Sequence, residues 1–223
     1  MRRATTFCLL LFLASCAISP QVPAWRTAAA RNLESFQEQR LAGNHVRAAA
    51  AFRTAVEELQ KGGDLNALQC AYLTASAMQV ALLEQPDAAA YIRCEAVEFF
   101  PANANYLAFL QGDEAVDVEL LPVQYRELLR AFRQGRGELA DIVARIDDPR
   151  SRLIATGWLI QRGREDERLL LLAADTAAAS GWKETLLVYL GRLRTFYERN
   201  QAPDKARTVA ARIRVLTFKI TSR

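Results

Sequence analysis

The sequence predicts an all-α protein, on the evidence of its composition, its turn residues and the spacing of its apolar side chains. The 223 residues include 39 Ala and 30 Leu but only 12 Val and 8 Ile. Ala and Leu lose little conformational freedom in a helix, whereas β-branched residues favour strands. The chain is 51% hydrophobic and 24% charged, which excludes an intrinsically disordered protein. We therefore expect a helical protein with a core of its own.

The chain begins with the features of a secretory signal. Arg2 and Arg3 precede an apolar run from Phe7 to Ala14, which is too short to cross a bilayer as a mature helix. The adjoining Leu13-Ala14-Ser15-Cys16 resembles the lipobox of bacterial lipoproteins, in which the cysteine becomes the lipidated first residue. The resemblance implies a lipoprotein signal peptide over residues 1–15 and acyl chains such as palmitate on Cys16. An ordinary signal peptide, with Cys16 incidental, is the alternative.

The residues after Cys16 indicate a tether and a location. Residues 16–25 contain Pro20 and Pro23 and suit a flexible tether that leads away from a membrane surface. Ala17 stands where lipoproteins of enterobacterial type that stay at the inner membrane carry Asp. The lipoprotein resemblance therefore implies the periplasmic face of the outer membrane of a Gram-negative-type bacterium, and no nucleic-acid partner is expected there. Residues 26–223 form the predicted helical domain.

Turn residues divide this domain into segments of helical length. A glycine that ends one helix and an Asn or Asp that starts the next recur along the chain. We expect Pro86 in the first turn of a helix, where its missing N–H costs nothing, and Pro101 at the end of one. The predicted turns are Gly43-Asn44, Gly62-Gly63-Asp64, Gln85-Pro86-Asp87, Pro101, Gly112-Asp113, Asp148-Pro149, Gly163, Gly181 and Ala202-Pro203-Asp204. The pattern predicts about ten helices, joined as antiparallel hairpins.

The spacing of small and aromatic residues resembles that of tetratricopeptide repeats. Gly43, Ala48, Phe52 and Ala55 are similar to the turn and the packing positions of the second repeat helix. Similar sets are Ala89, Ala96, Pro101 and Asn103, and then Leu190-Gly191 with Ala206. The resemblance implies stacked hairpins in a solenoid, whose concave groove binds an extended peptide or a helix. Because Ala48 and Ala89 are 41 residues apart instead of the regular 34, an irregular helical bundle is the alternative.

Positive charge is concentrated at the end of the chain. The net charge is +4, and the segment from Arg192 to Arg223 holds nine Lys and Arg against two acids. In a last helix from about Pro203 to Lys219, we expect Val209, Ile213 and Leu216 to face the core. Helical spacing then places the cations along two outer sides. This basic flank either docks an acidic partner surface or is a solvated face, and its members are Lys205, Arg207, Arg212, Arg214 and Lys219.

Two cysteines remain once Cys8 leaves with the signal and Cys16 is lipidated. The oxidising periplasm favours a disulfide between Cys70 and Cys94. Their unequal distances from the turn at Gln85-Pro86 are less suited to the short Cα separation that a bridge requires. A bridge and two free thiols stay open as alternatives, and we expect both residues to be buried.

The sequence holds little that points to catalysis. His45 is the only histidine, so nucleophile–base pairs and zinc sites lack partners, and no glycine-rich phosphate loop is present. No catalytic residue, metal site or cofactor is predicted. Glu34-Ser35 resembles the Glu-Ser pair of lytic transglycosylases, but the Gly-Leu-Met-Gln-type segment of that family is missing. Peptidoglycan cleavage with Glu34 as general acid is the alternative function.

These observations predict a non-enzymatic function. We expect a lipid-anchored periplasmic scaffold or adaptor that binds a protein partner in an envelope complex at the outer membrane. The outer-membrane lipoproteins that it resembles are pilotins of type IV pilus secretins and a helical-repeat accessory of the outer-membrane protein assembly machinery. Both kinds of protein serve assembly or secretion by positioning one partner at the membrane.

Overall fold

Helices account for the secondary structure throughout the described part of the chain. The computed structural model describes residues 22–135 and 137–218, and no strand occurs in these two ranges. A 3₁₀ turn spans Val118–Leu120. The helices are α1 (Ala24–Ala42), α2 (His45–Gly62), α3 (Leu65–Ala81), α4 (Ala89–Glu95), α5 (Pro101–Gln111), α6 (Val123–Gln134), α7 (Leu139–Ala144), α8 (Pro149–Gln161), α9 (Glu167–Ala179), α10 (Lys183–Arg199) and α11 (Pro203–Thr217). The predicted all-α class is confirmed.

Most of the predicted turn residues end or begin helices for the expected reasons. Gly43 follows α1 with φ +91° and Gly112 follows α5 with φ +108°, a backbone conformation that costs glycine little. Asp64 caps α3 by accepting a hydrogen bond from the N–H of Ala67 at 2.9 Å. Asp148 caps α8 in the same way, accepting from the N–H of Ser151 at 2.8 Å. Local sequence therefore sets these helix boundaries.

Two prolines act differently from the prediction. Pro86 lies in the connection between α3 and α4, because α4 begins only at Ala89. Pro101 begins α5 rather than ending a helix, since α4 already ends at Glu95. A proline fits the start of a helix as well as the position beyond its end, so the residue alone does not decide between them. At the other end of the domain, α1 begins at Ala24, inside the segment assigned to the tether.

The core is centred on α8, which lies close against α3. A methyl group added at Gly157 would come within 2.0 Å of the carbonyl oxygen of Val80, so only glycine permits this approach. The next residue, Trp158, is fully buried, stacks on Phe109 with 4.8 Å between ring centroids, and donates its indole N–H to the Phe109 carbonyl at 2.7 Å. This contact locks α5 against α8.

Helices distant in sequence also pack together. Thr185 of α10 donates its hydroxyl to the Leu41 carbonyl of α1 at 2.9 Å, and Trp182 donates its indole N–H to Glu38 of α1 at 2.8 Å. Tyr189 donates its hydroxyl to the Ala81 carbonyl of α3 at 2.9 Å. Units of a regular solenoid contact only their neighbours. These contacts differ from that arrangement, because they join the beginning of the domain to its end.

The structure also bears on the length of apolar segments. Among the described residues, no helix combines the length and the hydropathy that crossing a membrane requires.

Candidate partner-binding groove

An open groove of about 490 Å³ lies where α1, α3, α5, α6 and α8 meet. Its apolar lining comes from α3 and α8 and includes Leu73, Ala77, Met78 and Ile154. Its polar lining includes Asp148 and Arg150 together with neutral side chains that offer amide and hydroxyl groups, among them Gln37, Asn103, Gln124 and Ser151. An apolar floor with a few neutral hydrogen-bonding groups is typical of sites that bind a ligand or a peptide.

One wall of the groove is held in place by side-chain contacts to backbone. Residues Leu120 to Pro122 form this wall, and Leu120 is exposed at its edge. Arg126 donates to the carbonyl oxygens of Leu121 at 2.9 Å and Glu119 at 2.7 Å. The amide of Asn105 accepts from the N–H of Asp117 at 2.7 Å and donates to its carbonyl at 2.8 Å. The wall is therefore preformed, which lowers the entropy lost when a partner binds.

Stacked aromatic rings support the groove between α5 and α6. Tyr106 is half-buried in its lining, and its ring lies parallel to that of Tyr125, with 5.9 Å between the centroids. Tyr125 is buried, and this burial raises its pKa to about 12, although hydrogen bonds from neighbouring groups act in the opposite direction. The phenol of Tyr125 therefore stays neutral at physiological pH and adds no charge to the groove.

The two charged residues of the groove already make polar contacts within the protein. Asp148 is engaged as the cap of α8. Arg150 donates to Glu38 and lies 3.7 Å from Glu34, while its Nε is buried without a hydrogen-bond partner. Burial alone would raise the pKa of Glu38, but hydrogen bonds from Arg150 and Trp182 hold it below its usual value. The groove is therefore close to neutral.

The cysteines are placed differently from the prediction. Both are free thiols. Cys70 is exposed and lines the groove, whereas Cys94 is half-buried against the small apolar cluster that contains Ala29 and Leu59. The expectation of two buried cysteines is wrong: Cys70 is exposed because its position on α3 faces the groove, and Cys94 is only half-buried. Because the Cys70 thiol is free and lines the groove, a thiol-specific reagent can be attached at this site.

The basic flank is only partly available to a partner. Lys205 pairs with Glu167 at 2.8 Å and lies over the ring of Tyr197, 5.2 Å from its centroid. Arg207 pairs with Asp204 of the same helix. Arg212 and Arg214 are exposed, and the residues that the structure describes offer them no ion pair. Lys219 lies outside the described residues.

The inner face of α11 follows the sequence prediction. Val209 is buried, and Ile213 and Leu216 are half-buried against the main core. The predicted helix nevertheless ends two residues early, at Thr217. Val215 and Phe218 are exposed near that end.

Glu34 lies on a solvated helix surface. Its side chain is 68% exposed, and its nearest ionic partner is Arg150, 3.7 Å away. A glycosidase acid needs an apolar pocket around its carboxyl group, and the exposed position of Glu34 offers none. His45 is likewise exposed at the start of α2, with its Nε2 3.1 Å from Glu184. The described residues hold no group of three or more potential metal ligands.

Sequence reasoning expected a concave groove from the repeat resemblance but did not identify the residues that line this one. Tyr106, Leu120 and Gln124 line it but belong to three separate segments without a motif. Cys16, the predicted lipidation site, lies outside the described residues. Comparison of the chain with models of protein families, with curated proteins and with solved structures finds no match. The site is therefore interpreted from its own geometry.

Proposed function

We propose that the protein is a lipid-anchored periplasmic adaptor that binds a segment of a protein partner in this groove, at the outer membrane. The observation that carries the proposal is the preformed, nearly neutral groove, whose apolar floor is bordered by amide and hydroxyl groups. Such groups hydrogen-bond a peptide backbone, while apolar side chains of the partner fill the floor. The lipobox resemblance at Cys16 supports the location, and the all-α fold suits a role in assembly or secretion like that of a pilotin.

The chemistry of the groove also defines the partner segment. Because Asp148 and Arg150 are compensated by internal contacts, a charged side chain would gain little there and would lose its hydration. We expect an uncharged segment with two or more apolar side chains. Its affinity should depend weakly on salt, since apolar contacts are not screened.

Cys70 provides a direct test of occupancy. In a Cys94→Ser background, Cys70 is the one thiol of the mature chain besides the lipidated Cys16. A photoactivatable thiol reagent attached to Cys70 should cross-link one discrete envelope partner, which mass spectrometry then identifies. We expect Thr74→Arg, which places a long cation in the groove lining, to abolish the cross-link.

Thr195→Arg is the matched control for that variant. Thr74 and Thr195 are both half-buried on helices, and each donates its hydroxyl to the carbonyl four residues earlier. The control should therefore retain the cross-link at equal labelling of Cys70. Equal cross-linking in both variants would show that the partner binds elsewhere.

The anchor and the alternative function have separate tests. Radioactive palmitate should label the wild type but not Cys16→Ser, and unchanged labelling of the variant would contradict the lipoprotein assignment.

The lytic alternative predicts a clearing band in peptidoglycan zymography that Glu34→Gln removes. An adaptor gives no clearing band with either protein.

A further inference from the structure

The segment that contains α4 and the residues after it exposes an apolar patch. Tyr91 points inward against Leu73 and Leu107 and is fully buried. On the outer side, Ile92 is 53%, Val97 74% and Phe99 63% exposed. We define these three residues as the α4 patch. Single exposed apolar residues are ordinary, but here three of them fall within eight positions, and none belongs to an apolar cluster of the described residues.

The α4 patch lies at the end of the molecule where α1 begins. Trp25 of α1 and Cys94 of α4 pack against the same apolar cluster, which contains Ala29 and Leu68. The carbonyl of Glu98 accepts a hydrogen bond from Gln69 at 2.7 Å. Arg26, in the first turn of α1, pairs at 2.7 Å with Asp64, which caps α3. The starts of α1 and α3 and the α4 patch therefore occupy one end of the fold.

The chain between Cys16 and α1 limits how far this end can be from a membrane. From Cys16 to Val22 the chain advances by six residues, which span at most roughly 22 Å. Helix α1 has 19 residues and is therefore about 28 Å long. An acyl anchor on Cys16 therefore holds Val22, just before α1, within roughly 22 Å of the bilayer, whereas the far end of the same helix can lie about 50 Å away.

We propose that the α4 patch rests on the lipid bilayer and orients the anchored protein, so that Val97 and Phe99 enter the boundary between headgroups and acyl chains. The inference relies on the lipid anchor of the proposed function. Aromatic and aliphatic side chains bind this boundary through buried apolar area. The charged residues on the segment are Arg93, Glu95 and Glu98, one cation and two carboxylates, so no basic cluster is present to bind anionic headgroups. Apolar insertion therefore dominates, and an uncharged bilayer is a sufficient partner.

Spin labels on two exposed valines test the orientation. Val97 lies in the patch, whereas Val46, which is 85% exposed, lies in the first turn of α2, beside the far end of α1. Lipidated full-length protein carrying Cys70→Ser, Cys94→Ala and either Val97→Cys or Val46→Cys is labelled and bound to phosphatidylcholine vesicles. We expect the ratio of oxygen to nickel-chelate accessibility to rise severalfold at position 97 on binding. At position 46 it should stay at its aqueous value.

The outcomes separate this inference from the anchor on which it relies. If the protein floats with the vesicles but the spin labels at positions 97 and 46 show the same aqueous accessibility ratio, the docking is overturned and the anchor is left intact. Protein that carries no acyl chain and does not float overturns both. A label at position 97 that becomes immobile only when envelope proteins are added would assign the α4 patch to a protein partner, and would also overturn membrane docking.

Discussion

At the scale of single residues, two helical glycines of this protein have opposite surroundings. Gly157 on α8 faces the Val80 carbonyl of α3, whereas Gly191 on α10 has nothing within 4 Å of an added methyl group. The same substitution therefore isolates the effect of close helix packing from the effect of helix propensity. The pair also shows why a glycine in a sequence is ambiguous, since neither its type nor its helical context distinguishes the two cases.

We predict that Gly157→Ala destabilises the protein and that Gly191→Ala stabilises it. The first variant forces α8 away from α3, and overpacking of this kind costs about 1–3 kcal/mol. The second removes backbone freedom from the unfolded chain and should gain about 0.5–1 kcal/mol. Urea unfolding followed by circular dichroism gives both free energies. Equal midpoints for the two variants would mean that α8 and α3 are not in close contact.

At the scale of helices, turn chemistry was predictable and helix partners were not. The sequence places glycines and capping residues correctly at Gly43, Gly112 and Asp148, because these motifs act within four or five residues. The contacts of α1 with α10 and of α3 with α8 depend on how far each helix rotates and shifts in the folded chain. No local pattern encodes them. The groove between these helices could not be predicted for the same reason.

Caps of α8 and α2 offer a second matched comparison. Asp148 accepts the N–H of Ser151, whereas Asn44 makes no capping hydrogen bond from its side chain and donates to Gln39 at 2.9 Å instead. We expect Asp148→Ala to lower the free energy of unfolding by about 1 kcal/mol, the usual value of such a cap. Asn44→Ala should change it much less. Thermal unfolding measures both, and a larger loss at Asn44 would contradict this assignment of the caps.

The basic flank of α11 calls for variants that respect its ion pairs. Lys205→Glu would place a second carboxylate beside Glu167, whose pKa is lowered chiefly by the hydrogen bond from Lys205, so this variant should loosen α11. Arg212→Glu with Arg214→Glu changes charge without breaking an ion pair among the described residues. If the flank docks an acidic partner, the double variant should keep its helicity yet lose the partner in low-salt pull-downs. Retained binding would identify a solvated face.

At the scale of the whole molecule, buried phenols make stability sensitive to alkali. Four of the six tyrosines are buried, namely Tyr91, Tyr125, Tyr189 and Tyr197. Burial raises the pKa of each, and for Tyr125 and Tyr197 the value is about 12. A phenol whose pKa is higher in the folded than in the unfolded chain stabilises the fold fully at pH values below its unfolded pKa, which is near 10. This contribution to the free energy of unfolding is lost as the pH rises above that pKa.

We therefore predict cooperative unfolding between about pH 10 and 12. Absorbance near 295 nm should show the buried tyrosines ionising together with the loss of helix measured by circular dichroism, and not before it. Tyr189→Phe removes one ionisable group. Between neutral and alkaline pH, this variant should therefore lose less free energy of unfolding than the wild type does. Ionisation of all six tyrosines near pH 10 with helicity intact would contradict the burial.

The attachment of α1 to both α3 and α10 has a mechanical consequence. If the protein is tethered at Cys16 as proposed, any pull from the membrane reaches the described domain at the first turn of α1. That helix is fastened along its length, to the α3 cap through Arg26, to Trp182 through Glu38 and to Thr185 through the Leu41 carbonyl. A force along its axis therefore loads these bonds together in shear instead of breaking them one after another. Extraction of the helix nearest the proposed anchor would therefore have to break its contacts with α3 and α10 at the same time.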